Sequence, residues 1–189
     1  MPQLRLVSSP ARAEGAPSRD RASHPSLVAF EREFDWLIRT LRRLGVPRDD
    51  LEDLAHEVFL VLYQNWEAYD PTRPLRAYLF GIAFRIAANH SRKRRREAGR
   101  AVAEEQAGGP TPDRLVESYQ ARALVLRALE QVPLPRRSVL VLHDIDQLPM
   151  SEIAATLSIF RFTGYSRLRK ARREFATAVT SLLGGAREP

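Results

Sequence analysis

The sequence predicts an all-α protein: two small helical domains joined by a flexible linker, the second containing a helix-turn-helix. Three observations lead there. Apolar residues recur at three- and four-residue steps in one segment after another. No segment sustains the strict alternation of a half-buried strand. Between Ala98 and Pro112 the only apolar side chains are small, and Gly99, Gly108, Gly109, Pro110 and Pro112 interrupt the chain, which divides the helical segments into two groups.

Residues 1–25 read as a disordered tail, punctuated by Pro2, Pro10, Pro17 and Pro25 and without helical spacing. The first domain is expected over residues 26–97. Its first helix runs from about Ser26 to Leu44 on Leu27, Phe30, Phe34, Leu37, Leu41 and Leu44, with Gly45 and Pro47 as stops. A second helix, capped by Asp49 or Asp50, reaches about Gln64 and buries Leu51, Leu54, Ala55, Val58 and Leu62. Two close prolines make Asp70–Pro74 a loop. A third helix opens near Pro74 or Leu75, turns Leu79, Ile82, Ala83, Ile86 and Ala87 inward, and ends in the run Arg92–Arg96.

Residues 98–112 form the linker, and residues 113–184 the second domain. Asp113 caps a helix to about Glu130, with Leu115, Val116, Tyr119, Ala123, Leu126 and Leu129 on one side. After Pro133, Pro135 starts a helix that reaches about Ile145. A short helix, about Met150 to Leu157, precedes a turn at Ser158–Arg161 and a longer helix from about Phe162 to Leu183, stopped by Gly184 and Gly185. Residues 185–189 are a short tail.

The charge is concentrated. The net charge is +7. Arg85–Arg100 carries +6 and Arg161–Arg173 another +6, which leaves the remainder at −5. Two compact positive patches on a mildly acidic body point to two contacts with a polyanion. Other classes are excluded by what is missing. Without cysteine there is no disulfide framework, thiolate metal site or cysteine nucleophile. No apolar run approaches the ~20 residues of a membrane span. His56-Glu57 begins like a zinc-protease helix, but Leu60 stands at the second ligand position. The expectation is a cytoplasmic protein that is not an enzyme and uses no cofactor or metal.

The segment Ser151–Ile159 has the pattern of the first helix of a helix-turn-helix. Ile153 and Leu157 face inward, Ala154 and Ala155 permit close approach, and Ile159 plugs the turn. The next helix presents Tyr165, Ser166, Arg167, Arg169, Lys170, Arg172 and Arg173, with Leu168, Ala171, Phe175 and Val179 inward. Such a helix fits the major groove, where arginine pairs with guanine. Phe160 and Phe162 sit where a turn and cap belong, and Thr163 or Ser158 can cap instead. Two roles stay open for Phe162: packing on the core, or touching a thymine methyl.

In the first domain Trp66, Tyr69 and Tyr78 surround the Asp70–Pro74 loop, just before the basic run. Rings beside cations can hold unstacked bases or be core; for Phe84 the core role is the expectation. Asn89 lies one turn before the run and can read a base edge. Asp49, Asp53 and Glu57 share a helix face, with Asp50 beside them. That face repels DNA, so it is expected to face solvent or a basic protein.

These segments resemble a known family. Asp50-Leu51-Glu52-Asp53-Leu54-Ala55-His56-Glu57-Val58-Phe59-Leu60, followed by Arg73–Ala83, is similar to region 2 of the bacterial extracytoplasmic-function (ECF) sigma factors. Leu134–Leu140, Ser151–Ala154 and Tyr165–Arg172 resemble region 4. The resemblance implies that Asp50, Asp53 and Glu57 bind core RNA polymerase. It implies that Trp66, Tyr69, Arg73, Tyr78, Asn89, Arg92 and Lys93 capture and melt the minus-10 element. It also implies that Thr163, Tyr165, Ser166, Arg167, Arg169, Lys170, Arg172 and Arg173 read the minus-35 element. Glu104 and Glu105 in the linker suit the RNA path, and an anti-sigma protein is the expected inhibitor. The chain departs from the family at Phe160 and Phe162, where proline and a polar residue are commoner, and at Tyr78, where tryptophan is frequent. The alternative reading is a stand-alone helix-turn-helix regulator that binds palindromic duplex DNA as a dimer.

Overall fold

The computed structural model describes residues 24–98 and 115–184, and side chains over 24–97 and 120–184. Among the described residues there are seven α-helices and no strand: α1 (Pro25–Arg43), α2 (Leu51–Gln64), α3 (Leu75–Ala98), α4 (Leu115–Gln131), α5 (Leu134–Leu140), α6 (Met150–Thr156) and α7 (Arg161–Gly184). The all-α expectation holds, with α6 and α7 as the helix-turn-helix. The expected linker, with Glu104 and Glu105, the Asp113 cap, and the side chains of Leu115, Val116 and Tyr119 lie outside the described residues.

Local chemistry sets the helix ends. His24 caps α1, its Nδ1 accepting from the Ser26 amide at 3.3 Å. His24 and Pro25, read from the sequence as tail, thus belong to the folded unit. At the other end Gly45 adopts φ +89°, its amide bonds to Arg42 O at 2.9 Å, and the Val46 amide reaches Leu41 O at 3.1 Å. This paired arrangement requires a left-handed residue, which glycine supplies without strain. Asp50 precedes α2 but makes no capping bond; its carboxylate pairs with His90 Nε2 at 3.1 Å instead. Ser158 does not cap α7 either. It turns the chain with φ +53°, and Thr163 lies inside the first turn of the helix.

The first helical unit packs α1, α2 and α3 around Leu37, Leu41, Val58, Leu62, Leu79 and Phe80, all fully buried. Each such side chain contributes about 1.5–3 kcal/mol. The second unit packs α4–α7 around Leu129, Val132, Val139, Ile153, Leu168 and Ala171. Close approach of α6 and α7 is made by Ala154 and Gly164, where an added Cβ would press on Met150 Sδ. Ala155, expected to help, is exposed. Ala123 is exposed as well; among the described side chains of α4 the buried ones are Ala128 and Leu129, near its C-terminal end.

The two units form one continuous apolar core. This contact shifts the buried arc of α1. Trp36, bonded to Asp146 of the second unit, is buried and so is Thr40, whereas Phe34, expected in the core, is 38% exposed. Glu33, also buried, is held by Arg76 Nε at 2.7 Å. Two polar junctions cross between the units. The buried Arg137 guanidinium donates to Leu44 O at 2.7 Å, Val132 O at 3.0 Å and Glu130 O at 2.7 Å. These carbonyls end α1 and α4, so one cation satisfies acceptors at two helix C-termini and faces the negative end of both dipoles. Burial lowers the Arg137 pKa to about 10, which still leaves it charged at neutral pH. The second junction is Asp146 Oδ1, 3.4 Å from both Arg43 Nη1 and Trp36 Nε1.

Candidate nucleic-acid interface

The first basic patch begins with a line of rings. Trp66 sits in a 3-10 turn after α2, Tyr69 follows it, and Tyr78 is in the first turn of α3. Ring centroids are 5.5 Å apart for Trp66–Tyr69 and 5.1 Å for Tyr69–Tyr78. The loop between them is held by its own polar groups. Tyr69 Oη donates to Arg73 O at 2.8 Å, and Asp70 Oδ1 accepts from the amide and hydroxyl of Thr72 at 2.9 and 2.7 Å. Those two bonds hold the Asp70 carboxyl below its ordinary pKa. All three rings are half-buried, and Trp66 and Tyr78 rest on the core. Each ring has one part packed and another part open to solvent. Burial raises the Tyr78 hydroxyl pKa. Phe84 packs on the core as expected. The sequence reading missed His24, whose ring lies 4.6 Å from Tyr63 and 6.4 Å from Trp66.

Beyond the rings α3 presents Asn89, Arg92 and Lys93, all exposed. Arg92 Nη2 donates to Asn89 Oδ1 at 2.5 Å, which aims the amide along the helix. A groove of about 620 Å³ runs between α2 and α3, lined by Leu54, Glu57, Ile86, Asn89, His90, Arg92, Lys93 and Arg96. Glu57, expected to face solvent or a basic protein, shares this groove with Arg92, Lys93 and Arg96, and Asp50 is tied to α3 through His90. Asp53 is exposed, and among the described residues it carries no ion pair.

The second basic patch is the exposed side of α7. Gly164, Leu168, Ala171 and Ala178 are buried, and Phe175 and Val179 are half-buried. Tyr165, Arg169, Lys170, Arg172 and Arg173 are exposed, while Thr163, Ser166 and Arg167 are half-buried. A groove of about 400 Å³ separates Thr163, Ser166, Arg167 and Lys170 from Pro133, Pro135 and Arg136. Arg172 is engaged within the chain, donating to Asp144 Oδ2 at 2.8 Å and Oδ1 at 2.6 Å. That bond, and after it the one from His143, lowers the Asp144 pKa. Asp144 carried no signal in the sequence, because its partner is 28 residues away.

Residues 29–97 match the model of Sigma-70 region 2, and residues 122–175 that of Sigma-70 region 4. Together these matches span more than half of the chain. The chain is also 31% identical over 137 residues to the RNA polymerase sigma-E factor of Streptomyces coelicolor, covering 72% of this chain and 76% of that protein. The chain belongs to the sigma-70 family, as an RNA polymerase sigma factor of the ECF type.

Similarity extends to the ECF RNA polymerase sigma factor SigE of Mycolicibacterium smegmatis, at 29% identity over 160 residues. That alignment covers 82% of this chain and 62% of the relative. Among solved structures, that of CnrH in complex with the cytosolic domain of CnrY matches with TM-score 0.58 at 22% identity, covering 82% of this chain and 88% of that one. RpoE in complex with the anti-sigma factor NepR, from Bartonella quintana, matches with TM-score 0.62 at 20% identity, over 80% and 97%. At that identity the likeness is one of fold. In this sigma factor the region 2 match contains the ring line and the α2–α3 groove, and the region 4 match contains the cationic face of α7 up to Phe175. No described helix is long and apolar enough to cross a membrane.

Proposed function

We propose that this sigma factor divides promoter recognition between its two basic surfaces, over units bounded near residues 26–97 and 113–184. The line of half-buried rings running into the cationic half of α3 carries the reading. Trp66, Tyr69 and Tyr78 receive bases unstacked from the minus-10 element, and Arg73, Asn89, Arg92 and Lys93 hold its backbone or edges. Opening is driven by differential binding: flipped bases are held only in the melted state, so binding shifts the duplex toward melting. The α7 face, from Thr163 to Arg173, lies in the major groove of the minus-35 element. Tyr165, Ser166 and Arg167 sit nearest its N-terminus and reach base edges, with Arg169, Lys170 and Arg173 on phosphates. Arg172 joins them when Asp144 gives it up. Asp50, Asp53 and Glu57 dock core polymerase. The chain works in the cytoplasm, where polymerase and promoter meet, catalyses no reaction of its own and uses no cofactor. An anti-sigma protein holds it inactive; among the similar solved structures, RpoE is bound by the anti-sigma factor NepR, and CnrH by the cytosolic domain of CnrY.

Co-elution of the purified chain with bacterial core polymerase on a sizing column is the primary test. A folded chain that fails to co-elute at low and moderate salt overturns the proposal. Asp53→Arg is expected to weaken that association at least ~10-fold, about 1.4 kcal/mol, because a like charge meets a basic partner. Asp53 is exposed, so the circular-dichroism spectrum is expected to stay unchanged. Unaltered polymerase affinity in the folded variant would remove Asp53 from the interface. Arg167→Ala is expected to cost about 1–3 kcal/mol in affinity for the minus-35 duplex and to relax selectivity at one base pair. A uniform loss across all sequences would make Arg167 a phosphate contact instead.

A further inference from the structure

The N-terminal turn of α7 carries rings where a soluble surface ordinarily carries polar groups. Phe162 is 85% exposed, Phe160 is 84% and Tyr165 is 58%. Exposure excludes the core role that the sequence left open for Phe162. Nor does the fold explain the ring, since close packing against α6 is made by Gly164. Large apolar side chains clustered in solvent mark a contact surface.

The helical register shows what they face. Gly164, Leu168, Ala171 and Ala178 point into the protein. Phe162, Ser166, Arg169 and Arg173 follow one another at steps of four, three and four, on the opposite side of the helix. Phe162 is thus the apolar member, at the N-terminal end, of the stripe opposite the buried one, in which Phe162, Arg169 and Arg173 are exposed and Ser166 is half-buried. Thr163, Ser166, Arg167 and Lys170 share its groove, and Arg161 precedes it. This cationic setting fits a polyanion and disfavours an apolar helix of another protein.

A recognition helix places its N-terminal residues against base edges. A phenyl ring has no donor or acceptor, so it can distinguish base pairs there through one apolar feature, the thymine C5-methyl group. We propose that Phe162 reads a thymine methyl in the major groove of the minus-35 element, with Phe160 and Tyr165 flanking it. This sigma factor then selects thymine at that step, next to the position read by Ser166 and Arg167. The inference rests on the reading of α7 as the helix that enters the duplex, and deepens it by naming the base.

The test uses holoenzyme reconstituted from the full chain and bacterial core polymerase. Minus-35 duplexes are selected from a randomised pool, and each invariant thymine is then replaced by deoxyuridine, which removes only the methyl. One replacement is expected to weaken binding about fourfold, the effect of one buried carbon. Phe162→Ala is expected to bind the thymine duplex more weakly and to lose the thymine–uracil difference, whereas Phe162→Leu keeps part of it. Arg167→Ala is expected to bind more weakly with the difference intact. Equal binding of both duplexes by the unaltered holoenzyme overturns the inference, and so does a difference that survives in Phe162→Ala. Loss of polymerase binding in Phe162→Ala, with thymine preference kept, assigns the rings to a protein contact and overturns it too. If holoenzyme selects no upstream sequence and Arg167→Ala changes nothing, the reading of α7 fails first. Phe162 is exposed, so its variants are expected to fold, and a thermal melt checks this.

Discussion

Arg137→Ala is expected to destabilise the protein by about 3–5 kcal/mol, because three backbone carbonyls are left without their donor at about 1–3 kcal/mol each, partly offset by no longer burying a charge. Three backbone carbonyls, Leu44 O, Glu130 O and Val132 O, would lose their donor together. Two of them lie in the second unit and one in the first, so the loss falls on the junction as well as on each unit. Arg137→Lys is expected to recover little, because an ammonium lacks the planar fork that reaches three acceptors. Gly45→Ala should act on the same junction from the other side. The residue sits at φ +89°, and its Cβ would collide with Arg137 Nη1. Urea unfolding of the three variants measures the effect; a midpoint unchanged in Arg137→Ala would show that the guanidinium contributes nothing.

Asp146, at the neighbouring junction, behaves differently. Its carboxyl pKa is raised by burial despite Arg43, and the Arg43 pKa is lowered by burial despite Asp146. Both shifts favour the neutral forms, so desolvation outweighs attraction in this pair. A carboxyl with a raised folded pKa contributes most below its unfolded value, and that contribution is lost as pH rises through the folded value. Asp146→Asn is therefore tolerated better near neutral pH than at low pH, the reverse of an ordinary ion-pair deletion.

These junctions show where sequence reasoning stops. The stripes Leu51–Leu54–Val58–Leu62 and Leu79–Ile82–Ala83 were legible because helical periodicity is local. Both basic patches and the ring-bordered loop were legible as composition. Burial of Trp36 was not, because it depends on a second unit more than 100 residues away. Arg137 stood in a run of prolines and cations and drew no reading of its own, since nothing local marks three carbonyls arriving from two helix ends. The pairing of Arg172 with Asp144 and the sharing of a groove by Glu57 and Arg92 are likewise tertiary facts. What periodicity did show was which side of α7 faces outward; the position of Phe162, left open between core and solvent, took the structure to decide.

Tyr78→Ala is expected to leave polymerase binding intact and to lower the open-complex population about 5- to 150-fold, the loss of one base stack of about 1–3 kcal/mol. Tyr78 stands 5.1 Å from Tyr69 and rests on the core. The alanine variant therefore loses packing as well as a stacking face, and other substitutions separate the two. Tyr78→Leu restores apolar volume without a π-face, so it is expected to fold normally and still open poorly. Tyr78→Phe keeps the face and is expected to open nearly as well as the unaltered protein. Tyr78→Trp, with a wider face, is expected to open at least as well. Permanganate footprinting of unpaired thymines, at matched holoenzyme occupancy, reads the population directly. Stacking requires the order tryptophan, tyrosine and phenylalanine together, then leucine and alanine. If leucine opens the promoter as well as phenylalanine, the ring at this position serves the fold alone, and Trp66 and Tyr69 would have to hold the base without it.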